Sequence, residues 1–156
     1  MKHPLGLSMF VVGALTALIS LPKAHAAVGD DVSVVAADQA RLQASLRIVP
    51  VKSYAIHELT SPAGATIREY VAKTGKVFAV AWSGGWRPNL RDVMGSRYDQ
   101  YLEAMRGKRR ARGPVHIELP GMVVSMGSYL RNFWGHVVLT DLAPTDWQEE
   151  TMGDAP

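Results

Sequence analysis

Val77-Phe78-Ala79-Val80-Ala81-Trp82 is apolar at every position, so both of its alternating sets are hydrophobic. A strand that reads this way needs cover on both faces, which places it at the centre of a sheet. Just upstream, Lys73-Thr74-Gly75-Lys76 is a turn in which Gly75 can supply a positive φ. Residues 52–60 and 66–71 read as two further strands, joined by the turn Ser61-Pro62-Ala63-Gly64.

Working outward, Asp30 or Asp31 caps a first helix. Its apolar side carries Val32, Val35, Ala36, Ala40, Leu42 and Leu46, and Pro50 closes the region. On the other flank, Gly84-Gly85 and Pro88 end the central strand, and Asn89 is a good N-cap for a second helix, with Asp92 suited to its dipole. Leu90, Val93, Met94, Tyr98, Tyr101, Leu102 and Met105 give that helix a broad apolar face. Gly95 counts against it by about 1 kcal/mol. Strand readings resume at 115–119, 122–126 and 129–139. The expected fold is α+β: an antiparallel sheet of about five strands with one amphipathic helix packed on a face, plus a short N-terminal helix. One domain is expected over residues 27–142, followed by a loosely ordered acidic tail, 143–156.

Residues 1–26 read as a cleaved signal peptide. Lys2 and His3 precede an apolar run, and Ala24-His25-Ala26 is the small-x-small pattern before a cut between Ala26 and Ala27. The expected location is therefore the periplasm or the exterior. Of 156 residues, 130 remain after the cut, enough for one domain and too few for an enzyme with a separate cofactor-binding half. Removal of Lys2 and Lys23 leaves 15 basic residues against 14 acidic ones, a net charge of about +1. Export and that small charge argue against nucleic acid as a partner. The absence of cysteine excludes disulfides, thiol catalysis, iron–sulfur clusters and lipoprotein anchoring.

Ile67-Arg68-Glu69-Tyr70-Val71, then Gly75 to Trp82 and Pro88-Asn89-Leu90, resemble the core of the uncharacterised family known as domain of unknown function 2844, from exported proteins of Gram-negative bacteria. Leu130-Arg131-Asn132-Phe133-Trp134-Gly135 resembles its C-terminal portion. Asn89, where Asp is more usual, and the basic run after residue 105 depart from the pattern. The resemblance implies export; it carries no activity, catalytic residue or cofactor.

Chemistry-bearing patterns are incomplete. Ser83, delivered by a strand into Gly84-Gly85, mimics a nucleophile elbow, with His116 and His136 as later partners, but Trp86-Arg87-Pro88 delays the helix that would follow. Glu58 and Glu69 on neighbouring strands are a conceivable carboxyl pair for glycoside chemistry. His57-Glu58 lacks the second histidine of a zinc-protease helix, since position 61 is Ser61. No metal site and no cofactor are expected.

Binding candidates are more numerous. Trp86 and Trp134, beside Arg87 and Arg131, suit a glycan, peptide or partner surface. Arg106-Gly107-Lys108-Arg109-Arg110-Ala111-Arg112 sets five positive charges in seven residues, and Lys108, Arg109, Arg110 and Arg112 suit an anionic envelope surface. The expectation is a non-enzymatic binding module for an envelope component or partner protein. Two alternatives stay open: a small envelope hydrolase using Ser83 or Glu58/Glu69, and a weak anionic-surface binder acting through residues 106–112.

Overall fold

The computed structural model describes residues 27–106 and 113–152. Residues 1–26, read above as a signal peptide, the basic residues Lys108, Arg109, Arg110 and Arg112, and the last four residues lie outside the described residues. Chain order is α1 (Val34–Leu42), β1 (Ser45–Pro50), β2 (Tyr54–Thr60), β3 (Thr66–Ala72), β4 (Val77–Gly84), α2 (Leu90–Met94), α3 (Tyr98–Met105), β5 (Val115–Leu119), β6 (Met122–Tyr129) and β7 (Asn132–Val138). All strands join one antiparallel sheet in the order β1-β2-β3-β4-β7-β6-β5. Two meanders, β1–β4 and β5–β7, are thus sewn together by β4 and β7. The central position read for residues 77–82 is the observed one.

The expectation of about five strands is corrected to seven, and the protein is mostly β. The N-terminal segment accounts for part of the difference. Helix α1 stops at Leu42, where Gln43 turns left-handed (φ +49°) and its N–H bonds back to the Ala40 carbonyl. Leu46, four residues on, fits helical spacing and strand alternation equally, and it belongs to β1. Pro50 does not exclude a strand, because β1 is an edge where a missing N–H is tolerated. The second helix is also broken. Residues 90–105 run as α2, a 3₁₀ turn over Gly95–Arg97, then α3. Gly95 has a φ of +51°, and a Cβ there would stand 2.7 Å from that of Ala27. The glycine is needed at the bend and is no mere helix weakness.

One face of the sheet buries Leu59, Ile67, Val80, Trp82, Val124 and Val137 beneath α1, α2 and α3, with Val93, Met94 and Tyr101 supplied from the helices. The other face has its own core of Tyr54, Tyr70, Phe78, Ala79 and Val138. The pairing slips at Tyr70/Val71, so Tyr70 faces Ala79 while Val71 faces Val77, and Phe78 is the extra residue of a bulge. The segment read as a loose acidic tail lies on this second core: Ala143, Trp147 and Met152 pack against it, with Trp147 edge-on to Phe78 at 5.6 Å.

Two glycines let indole rings lie flat on the sheet, one on each face. Trp82 covers Gly135, and Trp134 covers Gly127. A Cβ on Gly135 would collide with Trp82 and stand 2.7 Å from the Ser125 carbonyl. Gly135→Ala is therefore expected to cost about 1–3 kcal/mol, as overpacking of a filled core does. A urea melt checks it, and an unchanged midpoint would mean that the ring is not seated there.

Candidate functional site

Glu69 lies on the helix-covered face, with Ile67 and Val71 on either side of it along β3. Its side chain is 0% exposed, and neither carboxyl oxygen has a hydrogen-bond partner. Burial, helped by nearby Asp38 and partly offset by Arg41, pushes its pKa up to about 8. Asp38 and Arg41 belong to α1, one helical turn apart, and form an ion pair of 2.9 Å. Across the pairing, His57 of β2 is the register partner of Glu69. Its Nδ1 also lacks a partner, and desolvation lowers its pKa.

Glu69 helps to line a pocket of about 210 Å³ between α1, the sheet and the β4–α2 loop. Trp86, Arg87 and Asn89 of that loop form one wall, and Asp92 and Val93 of α2 another. The loop is held by the N-cap foreseen for Asn89, whose Oδ1 accepts the Arg91 N–H at 3.2 Å. A second pocket, about 150 Å³, has Arg87 in common with the first and adds Trp82, Phe133, Trp134 and Gly113. Arg87 thus stands between the two.

The same end of the sheet carries the β6–β7 hairpin, whose tip is Tyr129-Leu130-Arg131. Tyr129 is 76% exposed and Leu130 86%. Leu130 has a φ of +56°, a left-handed conformation costly for a side chain of its size. The tip adjoins the β4–α2 loop: a Cβ on Gly85 would lie 3.9 Å from the Arg131 carbonyl. Trp86, Arg87, Arg131 and Trp134, singled out from the sequence as binding candidates, are therefore gathered at one end of the molecule.

A model of the family described as "Protein of unknown function (DUF2844)" matches residues 24–152. The chain belongs to this family. No curated protein and no solved structure gives a significant match.

In this DUF2844 fold the enzyme-like candidates are dispersed. Glu58 is in register with Arg68, at an ion-pair distance of 2.7 Å, whereas Glu69 is in register with His57. Strand alternation therefore sends Glu58 and Glu69 to opposite faces, and they form no carboxyl dyad. Ser83 is a strand residue paired with Thr66 and Trp134, one position before the end of β4. It is not raised on an elbow. His136 lies one row away, opposite Ala81, with its Nε2 2.7 Å from Glu149.

The open part of the second face holds a polar row that no single segment reveals. Arg47, Glu58, Arg68, Ala81, His136, Ser125 and His116 are successive cross-strand partners from β1 to β5. At its β5 end, His116 Nδ1 shares a 2.7 Å hydrogen bond with Ser125 Oγ, and its Nε2 is 3.2 Å from Glu118. This is the hydroxyl–imidazole–carboxylate order of an activated serine, but it lies across an open sheet face and in neither pocket. Asp38, Arg41, Ser125 and Glu118 were not among the sequence candidates. Asp38 did carry a signal, since it interrupts the apolar stripe of α1 between Val35 and Leu42. Among the described residues, no group of three or more histidine and carboxylate side chains is placed to hold a metal ion, and no helix is long and apolar enough to cross a membrane.

Proposed function

We propose that the protein is exported and works in the periplasm or outside the cell as a non-enzymatic binding module for an anionic component of the envelope. Export rests on Lys2 and His3, the apolar run and Ala24-His25-Ala26. The binding half rests on one observation above the rest: Leu130, a large apolar side chain 86% exposed, occupies a strained hairpin position. Two-residue hairpin turns of this kind favour Asn and Gly, which relieve that strain. Keeping leucine there, between Tyr129 and Arg131 and beside Trp86 and Arg87, fits an apolar tip that enters a surface while arginines meet its anions.

Cosedimentation of the protein beginning at Ala27 with anionic and neutral vesicles tests this. Binding should favour the anionic vesicles and fade as salt shortens the Debye length from about 10 Å at 0.1 M toward about 3 Å at 1 M. Leu130→Asn should weaken binding while raising stability by about 1 kcal/mol, because it removes left-handed strain. Equal binding to both vesicle types, or binding untouched by Leu130→Asn and Arg131→Ser together, would overturn the reading.

A further inference from the structure

A carboxyl group with no donor on either oxygen is an expensive thing to bury: it keeps its proton, and it can ionise at lower cost when a compensating group arrives. Glu69 is such a group, and it lines a pocket. We propose that this pocket is a binding site for a small primary ammonium compound, whose N–H donors fill the two empty oxygens of Glu69 and whose charge neutralises it.

Three features favour a cation over other ligands. Arg41 is already committed to Asp38 at 2.9 Å, so the strongest nearby positive charge is spent on another acid. Asp92 also lines the pocket, from α2, and Trp86 offers an aromatic wall of the kind that attracts ammonium groups. Arg41 and Arg87 line the pocket too, so the selection rests on the two oxygens of Glu69 themselves, which accept from an ammonium and, once ionised, repel an anion. The volume, about 210 Å³, is that of about seven water molecules and suits a short amine. In the empty pocket the carboxyl is out of contact with water. A ligand therefore reaches it by moving lining side chains, of which Arg41, Trp86, Arg87 and Asn89 are exposed. The inference stands apart from docking of the Leu130 tip on a surface.

The test is an NMR titration of the protein with three chain-matched probes: n-butylammonium, butanol and butyrate. Saturable shifts around the pocket are expected with butylammonium, and binding at least about tenfold weaker with the other two. Glu69→Gln, which keeps the shape and loses the charge, should weaken the amine about tenfold or more. Wild type alone gives a second readout, should that variant fail to fold. The ammonium displaces the proton of Glu69, so its affinity should rise with pH toward about 8 and then level off. The other groups facing Glu69 are Asp38 and Arg41 from α1, His57 from β2, Arg87 from the loop and Asp92 from α2. Of these only His57 ordinarily titrates near neutrality, and burial moves it down and away from this window. Absence of saturable butylammonium binding, equal binding of butanol or butyrate, or a flat pH profile would each overturn the assignment. None of these outcomes bears on the vesicle assay, which stands or falls separately.

Discussion

Truncation of Phe78 to alanine is expected to destabilise the protein by about 3–5 kcal/mol, the range for a buried aromatic ring removed from a core that cannot collapse around the gap. Phe78 is 0% exposed and occupies the bulge of the central strand. Tyr54 meets it edge-on at 5.7 Å, Tyr70 at 6.1 Å and Trp147 at 5.6 Å. The last contact gives the substitution a second effect. Trp147 is the largest apolar side chain that the 143–152 segment offers to the second face, and Phe78 is its ring partner. Loss of the ring should therefore loosen this segment and with it the 2.7 Å contact between Glu149 and His136. Urea melts measure the stability, and amide hydrogen exchange over residues 143–152 measures the loosening. A loss below about 1 kcal/mol would show that the aromatic cluster is peripheral to stability.

What the sequence made legible follows from the range over which each signal acts. The central strand was readable because both alternating sets of residues 77–82 are apolar, a property of six adjacent residues. The Asn89 cap was readable for the same reason. β1 was not, since Leu42 and Leu46 satisfy helical and strand spacing together and only the left-handed Gln43 decides between them. The sheet order was beyond reach, because the β4–β7 pairing joins strands some fifty residues apart with no local mark. The polar row from Arg47 to His116 depends on that pairing, so its members were visible singly and their alignment was not. The 143–152 segment was read from its acids, which face water, while Trp147 and Met152 determine where it packs. Glu69 was noticed as a carboxylate, yet its meaning lies in α1, which brings Asp38 and Arg41 beside it from thirty residues away.

Removal of the Glu69 charge should change the pH dependence of stability more than any other single substitution of an ionisable group. Its pKa is raised from an ordinary 4.5 to about 8 in the folded protein. Between those two values the unfolded chain has released the proton and the native state has kept it, so the native state binds more protons and stability falls as pH rises. Each tenfold difference in proton affinity is worth about 1.4 kcal/mol, so the burden is about 3 kcal/mol at pH 7 and about 5 kcal/mol above pH 8, where it levels off. Glu69→Gln carries no such burden. Wild type and variant should be similar near pH 4.5, and the variant should gain steadily up to pH 8. Comparing the two proteins at each pH cancels the titration of every group that does not interact with Glu69. Parallel stability curves from pH 5 to 8.5 would mean that Glu69 finds a counter-charge in the folded protein in solution. Saturating butylammonium supplies such a charge by design: it should stabilise wild type at pH 8, by binding only the folded state, and stabilise Glu69→Gln by at least about 1 kcal/mol less, the equivalent of the tenfold weaker binding. The carboxyl that weakens the empty fold is in this way the group whose ligand would restore it.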